Sequence, residues 1–312
     1  MSVFHTHRPA HAIDVPLTSV TWVVSADDRT SFKRCRRAWD FGASTRRRLE
    51  PIRGHAAERP ADRFLRAALA VHYFPGMWTW DREIVRPLTL KAAGPATALV
   101  ERYIDWAAVV DEFVPLRVEA DFEAGVPDPR ADDCDLATPR GEAVRYRGRI
   151  DALVVDPDGD HWLMIHRLGP WSDGNGLRLD EAAVASAWGW ENEQLSTTIR
   201  GVLFNEISPE GRFRRSVRRL SRFQVVDAGL QLGWEAIDML DRQVSLYPTP
   251  AAHCAACPFV GPCLSLTEHG DAEAILAESY RPRPPDVSVE GRLGGSTWGL
   301  GRGAAPPKIG SG

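Results

Sequence analysis

The stretch 147–169, RGRIDALVVDPDGDHWLMIHRLG, constrains the fold more than any other part of the chain. Ile150, Ala152 and Val154, then Leu163 and Ile165, alternate with other residues at the two-residue period of a strand, and Asp156-Pro157-Asp158-Gly159-Asp160 between them is turn chemistry. The segment reads as two antiparallel strands joined by a tight turn. It carries Asp151 in the first strand and Arg167 near the end of the second.

Periodicity elsewhere alternates between strand and helix, which points to the α/β class. A short apolar run at 20–24 reads as a strand. Thr30-Ser31 reads as the cap of a helix over 31–42, with Phe32, Cys35 and Trp39 on one face. Helices are expected over 61–73, ended by Phe74-Pro75-Gly76, and over 96–110, started by Gly94-Pro95 and striped by Leu99, Tyr103, Trp106 and Val110. A strand over 113–125 carries Glu119 and Asp121. Beyond the hairpin come a glycine-rich stretch, a helix over 179–203 that buries Trp188 and Trp190, a strand pair at 202–207 and 212–220, and a helix over 225–247. The central sheet is expected to be mixed, built from the strands near 115, 150 and 163 and flanked by helices.

A length of 312 residues, 44% hydrophobic and 26% charged, suffices for a large core. No run approaches the roughly 20 apolar residues of a membrane span, and residues 1–15 lack the apolar core of a signal peptide, so a cytoplasmic protein without membrane contact is expected. The domain is expected over 30–280, between a His- and Pro-rich extension at 1–29 and a Pro- and Gly-rich tail at 281–312 whose composition cannot bury a core. The net charge of -4 hides basic clusters at 33–37, 46–48 and 212–222. Such clusters can contact phosphate, although a solvated arginine face is the commoner meaning of the pattern.

Cys254, Cys257 and Cys263 form C-x2-C-x5-C in a loop bearing Pro258, Gly261 and Pro262, a geometry that wraps thiolates around a metal. Cys134 lies among Asp132, Asp133 and Asp135 and reads as a free thiol. That leaves Cys35 as the fourth ligand. Four thiolates suit structural zinc as well as an iron-sulfur cluster. Either would clamp the two ends of the domain and contribute folding free energy.

The hairpin resembles the core of the RecB-type PD-(D/E)XK nucleases, whose first strand carries G-R-I-D and whose second carries D-x-K-T-G. Gly148-Arg149-Ile150-Asp151 matches the first motif, whereas the second falls on Ile165, Arg167, Leu168 and Gly169. The family's metal-binding histidine falls on Arg66; His72, six residues on, lies about 240° away around the helix and reads as a core or surface residue. The family's Q-x-x-x-Y finds Gln194 with Thr198 in the tyrosine's place. Ser31-x-x-x-Cys35 followed by basic and aromatic residues is similar to the amino-terminal helix of the members that carry a cluster. The resemblance therefore implies a nuclease-like core closed by a 4Fe-4S cluster on Cys35, Cys254, Cys257 and Cys263, with a degenerate site of Asp151, Glu119, Arg167 and Gln194.

Isoleucine cannot bind magnesium, and arginine does not replace a compact, titratable lysine. The favoured expectation is thus a DNA-binding relative with lost or weakened cleavage. A working magnesium-dependent exonuclease or endonuclease would need Glu119, Asp121 or Glu193 to supply the missing ligand beside Asp151. A third reading is a structural subunit that serves a protein partner in a DNA-processing complex; metal content and nuclease activity separate these readings.

Overall fold

A computed structural model describes residues 21–52, 60–172, 174–195 and 197–283; the expected tail from 284 onward and the extension before 21 lie outside the described residues. The described chain opens as strand β1 (Thr21–Ser25) and turns at once into helix α1 (Ala26–Arg34). Ser25 sets that start. Its hydroxyl accepts the Asp28 N–H at 3.0 Å while the Asp28 carboxylate accepts the Ser25 N–H at 3.4 Å, a capping box that satisfies two otherwise orphaned donors. The cap expected at Thr30-Ser31 is displaced for this reason, and the Thr30 hydroxyl donates back to the Ala26 carbonyl at 2.9 Å. Cys35, with extended backbone at φ -164°, separates α1 from α2 (Arg36–Gly42), so the single helix expected over 31–42 is two.

Next come β2 (Leu49–Pro51), α3 (Pro60–His72), α4 (Arg82–Ala93), α5 (Thr97–Val110), β3 (Val114–Gly125), β4 (Ala143–Val155) and β5 (His161–Leu168). Then follow α6 (Gly174–Arg178), α7 (Glu181–Glu193), β6 (Ile199–Ile207), β7 (Phe213–Arg219) and α8 (Arg222–Leu240). Last come α9 (Val260–Thr267), α10 (Ala272–Ser279) and β8 (Tyr280–Pro282), which pairs with β2. The helix expected over 179–203 stops at Glu193, because Ile199 onward joins the sheet beside β5. The last long helix starts earlier than expected under a second capping box, Ser221 with Gln224, and ends at Leu240.

The chain is α/β, with a mixed six-stranded sheet in the order β1-β4-β5-β6-β7 and β3 paired to β4. β4 is its spine. One edge of β4 carries antiparallel β3; the other carries parallel β1 against Ala143–Arg147 and then antiparallel β5 against Ala152–Val155. Between β1 and β5, at Asp151, that second edge has no strand partner among the described residues.

Helices cover both faces. One core joins Trp39, Phe122, Tyr146, Trp188, Phe204 and Leu232; the other joins Leu69, Tyr73, Val100, Tyr103, Val154 and Met164. Alternation along β3 and β4 changes face at one place. Ala120 and Ile150 serve the first core but Val118 and Ala152, two residues away and so nominally on the same side, serve the second. The change falls at Glu119 and Asp151, opposite each other in the register, and Glu119 has the left-handed φ of 48°. For a residue with a side chain this is a strained conformation, of the kind held only where the surroundings enforce it.

Gly148 has a packing cause. A Cβ there would lie 2.3 Å from the Phe122 ring, and one on Gly189 of α7 would lie 2.2 Å from the same ring. Phe122 thus fills the space left by two glycines, which lets α7 approach the sheet.

Candidate functional site

The chain brings Asp151, Glu119 and Arg66 together at the point where β4 and β5 part. The last ladder pair on that side is Ala152 with Met164; beyond it Asp151 Oδ2 accepts the His166 backbone N–H at 2.6 Å, so a side chain takes the place of the missing ladder bond. Arg66 reaches from α3, its Nη1 3.3 Å from Asp151 Oδ1. Glu119 faces the pair from β3 and contacts Arg149 at 3.3 Å. Burial raises the Glu119 carboxyl above its ordinary range and the Asp151 charge adds to this, while Arg149 and Arg66 oppose it. Two carboxylates and two guanidiniums therefore share one partly buried neighbourhood.

The other expected ligands are not there. Ile165 is half-buried against the first core. Arg167 turns to the Asp180 carboxylate at the cap of α7 and stacks over the Phe204 ring, 4.9 Å from its centre. Its guanidinium is thereby engaged away from Asp151. Gln194 is exposed at the C-terminal end of α7, with no contact to Asp151 among the described residues. Asp121 pairs with Arg149 at 2.8 Å, and Glu193 accepts the Glu123 N–H at 3.1 Å, away from Asp151. Of the three carboxylates weighed as replacements, only Glu119 lies opposite Asp151.

Behind Asp151 runs a buried polar chain that sequence reading missed. His166, next to Ile165 but on the other face of β5, is wholly buried, stacks on Tyr73 at 5.6 Å and leaves its Nδ1 without a partner among the described residues. Burial lowers its pKa to about 4, so the ring stays neutral. The Tyr73 and Tyr103 hydroxyls are 2.7 Å apart, Asn205 donates to Tyr103 at 2.8 Å, and Arg215 joins Asn205 at 2.8 Å to Asp111 at 2.6 Å. His72 sits beside Tyr73, half-buried, and burial lowers its pKa to about 4 as well, with His166 adding to the effect.

The basic clusters are largely spent inside the fold. Arg214 pairs with buried Glu206 at 2.6 Å, Arg215 with Asp111, and Arg218 donates to the Asp180 carbonyl at 2.9 Å. Arg36 lies over the Phe32 and Tyr247 rings, and Arg46 and Arg47 pair with Asp40 and Glu273. Arg214, Arg215 and Arg218 of β7 are thus paired within the fold, whereas Arg212, Arg219 and Arg222 are exposed.

Cys35 is buried and Cys254, Cys257 and Cys263 are half-buried, while Cys134 is exposed. Burial pushes the Cys257 thiol up against a hydrogen bond from the Phe259 backbone, and Cys35, Cys254 and Cys263 push it further. Cys35, Cys254 and Cys263 therefore each lie near Cys257. Among the described residues no group of three or more His, Cys, Asp or Glu is set at metal-binding geometry.

No family model and no curated protein matches the chain. Among solved structures, the chain described as "Crystal structure of SSO0001" aligns at a TM-score of 0.38 and 12% identity, covering 77% of this chain and 84% of that one. A likeness of that size carries no argument about function.

Proposed function

We propose that the chain is a relative of the RecB-type PD-(D/E)XK nucleases that binds DNA with its cleavage centre disarmed. The observation that carries this reading is the Arg66–Asp151 ion pair. A fixed guanidinium stands on the carboxylate that the resemblance assigns to magnesium, and Ile165 across the hairpin offers no oxygen. Magnesium keeps most of its waters and gains little from one carboxylate, and here it would also have to displace a cation. The guanidinium offsets the negative charge of Asp151 and Glu119, which would otherwise repel a phosphate backbone.

The support for a thiolate centre on Cys35, Cys254, Cys257 and Cys263 is their donor chemistry and the C-x2-C-x5-C spacing of the last three. A 4Fe-4S cluster, or zinc, held by them would cross-link the junction of α1 and α2 to α9 and the segment leading into it and so contribute folding free energy.

The test is binding and cleavage of single- and double-stranded DNA by anaerobically purified protein, with magnesium or manganese. Binding that weakens by roughly 0.7 to 0.9 log units per log unit of salt for each phosphate contacted, with no cleavage, is the expected result. Cleavage abolished by Asp151→Ala would overturn it in favour of an active site that uses Glu119.

A structural-subunit reading is favoured by one feature. The outward ridge of α8 exposes Phe223, Leu230 and Trp234 by 89%, 42% and 53%, and apolar ridges of this kind mark protein contacts. Absence of DNA binding at low salt would select that reading.

A further inference from the structure

Between α1 and the start of α7 lies a cleft of about 440 Å³, lined in part by Arg167 but not by Asp151, Glu119 or Arg66. Tyr146 of β4 forms part of its lining. That residue is wholly buried, and its hydroxyl has no hydrogen-bond partner among the described residues. A buried donor left unpaired costs on the order of 1 to 3 kcal/mol, which a hydrogen bond to a ligand oxygen would recover. Burial pushes its pKa up to about 12 against the pull of Arg29, which keeps the proton on and the group a donor.

The surrounding charges suit an anion. Arg29, Lys33 and Arg34 of α1 line one wall. Arg29 is itself almost wholly buried and held by Glu235, whose side chain is 12% exposed. Both Arg29 and Lys33 also touch the Glu181 carboxylate, whose side chain is 52% exposed and which Gln231 approaches at 3.5 Å. Glu181 thus lies where an oxyanion would, as an occupant the protein can withdraw. Glu181 and Ala182 open the 13-residue helix α7 and line the cleft, and Asp180 caps the Ala183 N–H, so their amides are first-turn donors without an intrahelical partner.

We propose that this cleft binds a phosphate-class oxyanion, which accepts hydrogen bonds from the Tyr146 hydroxyl, the opening amides of α7 and the cations of α1 once Glu181 swings out. The inference goes beyond the DNA-binding reading and does not depend on it. The oxyanion is a free phosphate or nucleotide, or the terminal phosphate of a nucleic acid.

Titration calorimetry on the full chain decides it, with inorganic phosphate, a deoxynucleoside monophosphate, and one oligonucleotide with and without a 5′-phosphate. Phosphate or the monophosphate is expected to bind, Tyr146→Phe to weaken binding about tenfold through loss of a hydrogen bond to a charged group, and Glu181→Gln to strengthen it. If only the 5′-phosphorylated oligonucleotide binds, with the same response to both variants, the site holds and the phosphate is a nucleic-acid end. No binding by any probe, or binding indifferent to both variants, overturns the proposal. Tyr146→Phe keeps the ring and is expected to melt no lower than the natural protein. Should it unfold, exposed Arg34 decides: unchanged affinity in Arg34→Ala overturns the site. DNA binding that persists in every variant while the small probes fail sinks the cleft and leaves the DNA reading standing.

Discussion

Arg66 Nη1 lies 3.3 Å from Asp151 Oδ1, and the same guanidinium lowers the proton affinity of Glu119 on the neighbouring strand. One side chain thereby stands between two opposed carboxylates and counters the burial that raises the Glu119 carboxyl. Replacing Arg66 with Gln is expected to raise the Glu119 pKa further, since burial and Asp151 already push it up and only Arg149 would remain to oppose them. Carboxyl carbon NMR against pH would read this. A Glu119 titration unmoved by Arg66→Gln would show that the two groups are not coupled.

Arg215 is the second cation on which the interior depends. It is 12% exposed and joins Asn205 to Asp111, itself 6% exposed. Arg215→Met is expected to destabilise the chain by about 3 to 5 kcal/mol, because it leaves Asp111 buried without its counter-charge. Replacing both partners, Arg215→Met with Asp111→Leu, is expected to recover much of the loss. Urea unfolding of the three variants measures the difference, and a small single-mutant effect would mean that water reaches Asp111.

Stability should also fall on mild acidification. His166 is neutral in the folded chain, with its pKa lowered from 6.5 to about 4, so the unfolded state binds more protons below pH 6.5. The stability linked to this depressed pKa is whole above 6.5 and is lost progressively as pH falls from 6.5 towards 4, by roughly 3 kcal/mol at the lower end. His72 contributes in the same direction and over the same window. Denaturant midpoints at pH 7 and pH 5 should differ in the natural protein and differ less in His166→Phe. A pH-independent midpoint would show that the ring is solvated or charged when folded.

Much of this was legible in the sequence because hairpin alternation and turn residues act locally. The hairpin, the sheet's mixed character and the flanking helices follow from period and punctuation alone. Helix starts were harder: Ser25 with Asp28 and Ser221 with Gln224 are reciprocal caps, and in the first case Thr30-Ser31 offered a competing signal. Helix α4 was missed because Pro87 stands inside it, although its Thr89 hydroxyl is satisfied by the Val85 carbonyl at 3.0 Å. The strained Glu119 and the partners of Arg66, Arg167 and Arg215 were illegible. Each depends on contacts between residues far apart in the chain, which no local pattern encodes. Gly148 shows the opposite error, since its place in a motif has a sufficient cause in the Phe122 ring.

Metal content separates the cysteines. Protein purified without oxygen is expected to be brown and to carry iron, with Cys257→Ser or Cys35→Ser losing both the metal and thermal stability while Cys134→Ser changes neither. Colourless protein with one zinc would replace the cluster but keep the ligands. Metal-free protein of full stability would remove the clamp altogether.

The decisive question is whether the frame around Asp151 can still work once its missing parts are returned. Arg66→His takes away the guanidinium and offers a neutral nitrogen from α3, and Ile165→Asp adds an oxygen at the position after the last β4–β5 ladder pair, across from Asp151. Ile165 is half-buried against the first core, so its replacement alone is expected to cost about 2 kcal/mol or more in lost apolar burial and a poorly solvated charge. A divalent ion binding both aspartates would offset that cost, and the linkage makes the outcome measurable. The double variant should melt higher in manganese than in its absence, whereas the natural protein should not respond. Cleavage of linear DNA is expected to stay slow even then, because Arg167 is turned to Asp180 and supplies no cation beside the attacking water. If manganese stabilises the natural protein as strongly as the double variant, the ion is already held beside Asp151, and Arg66 does not block it.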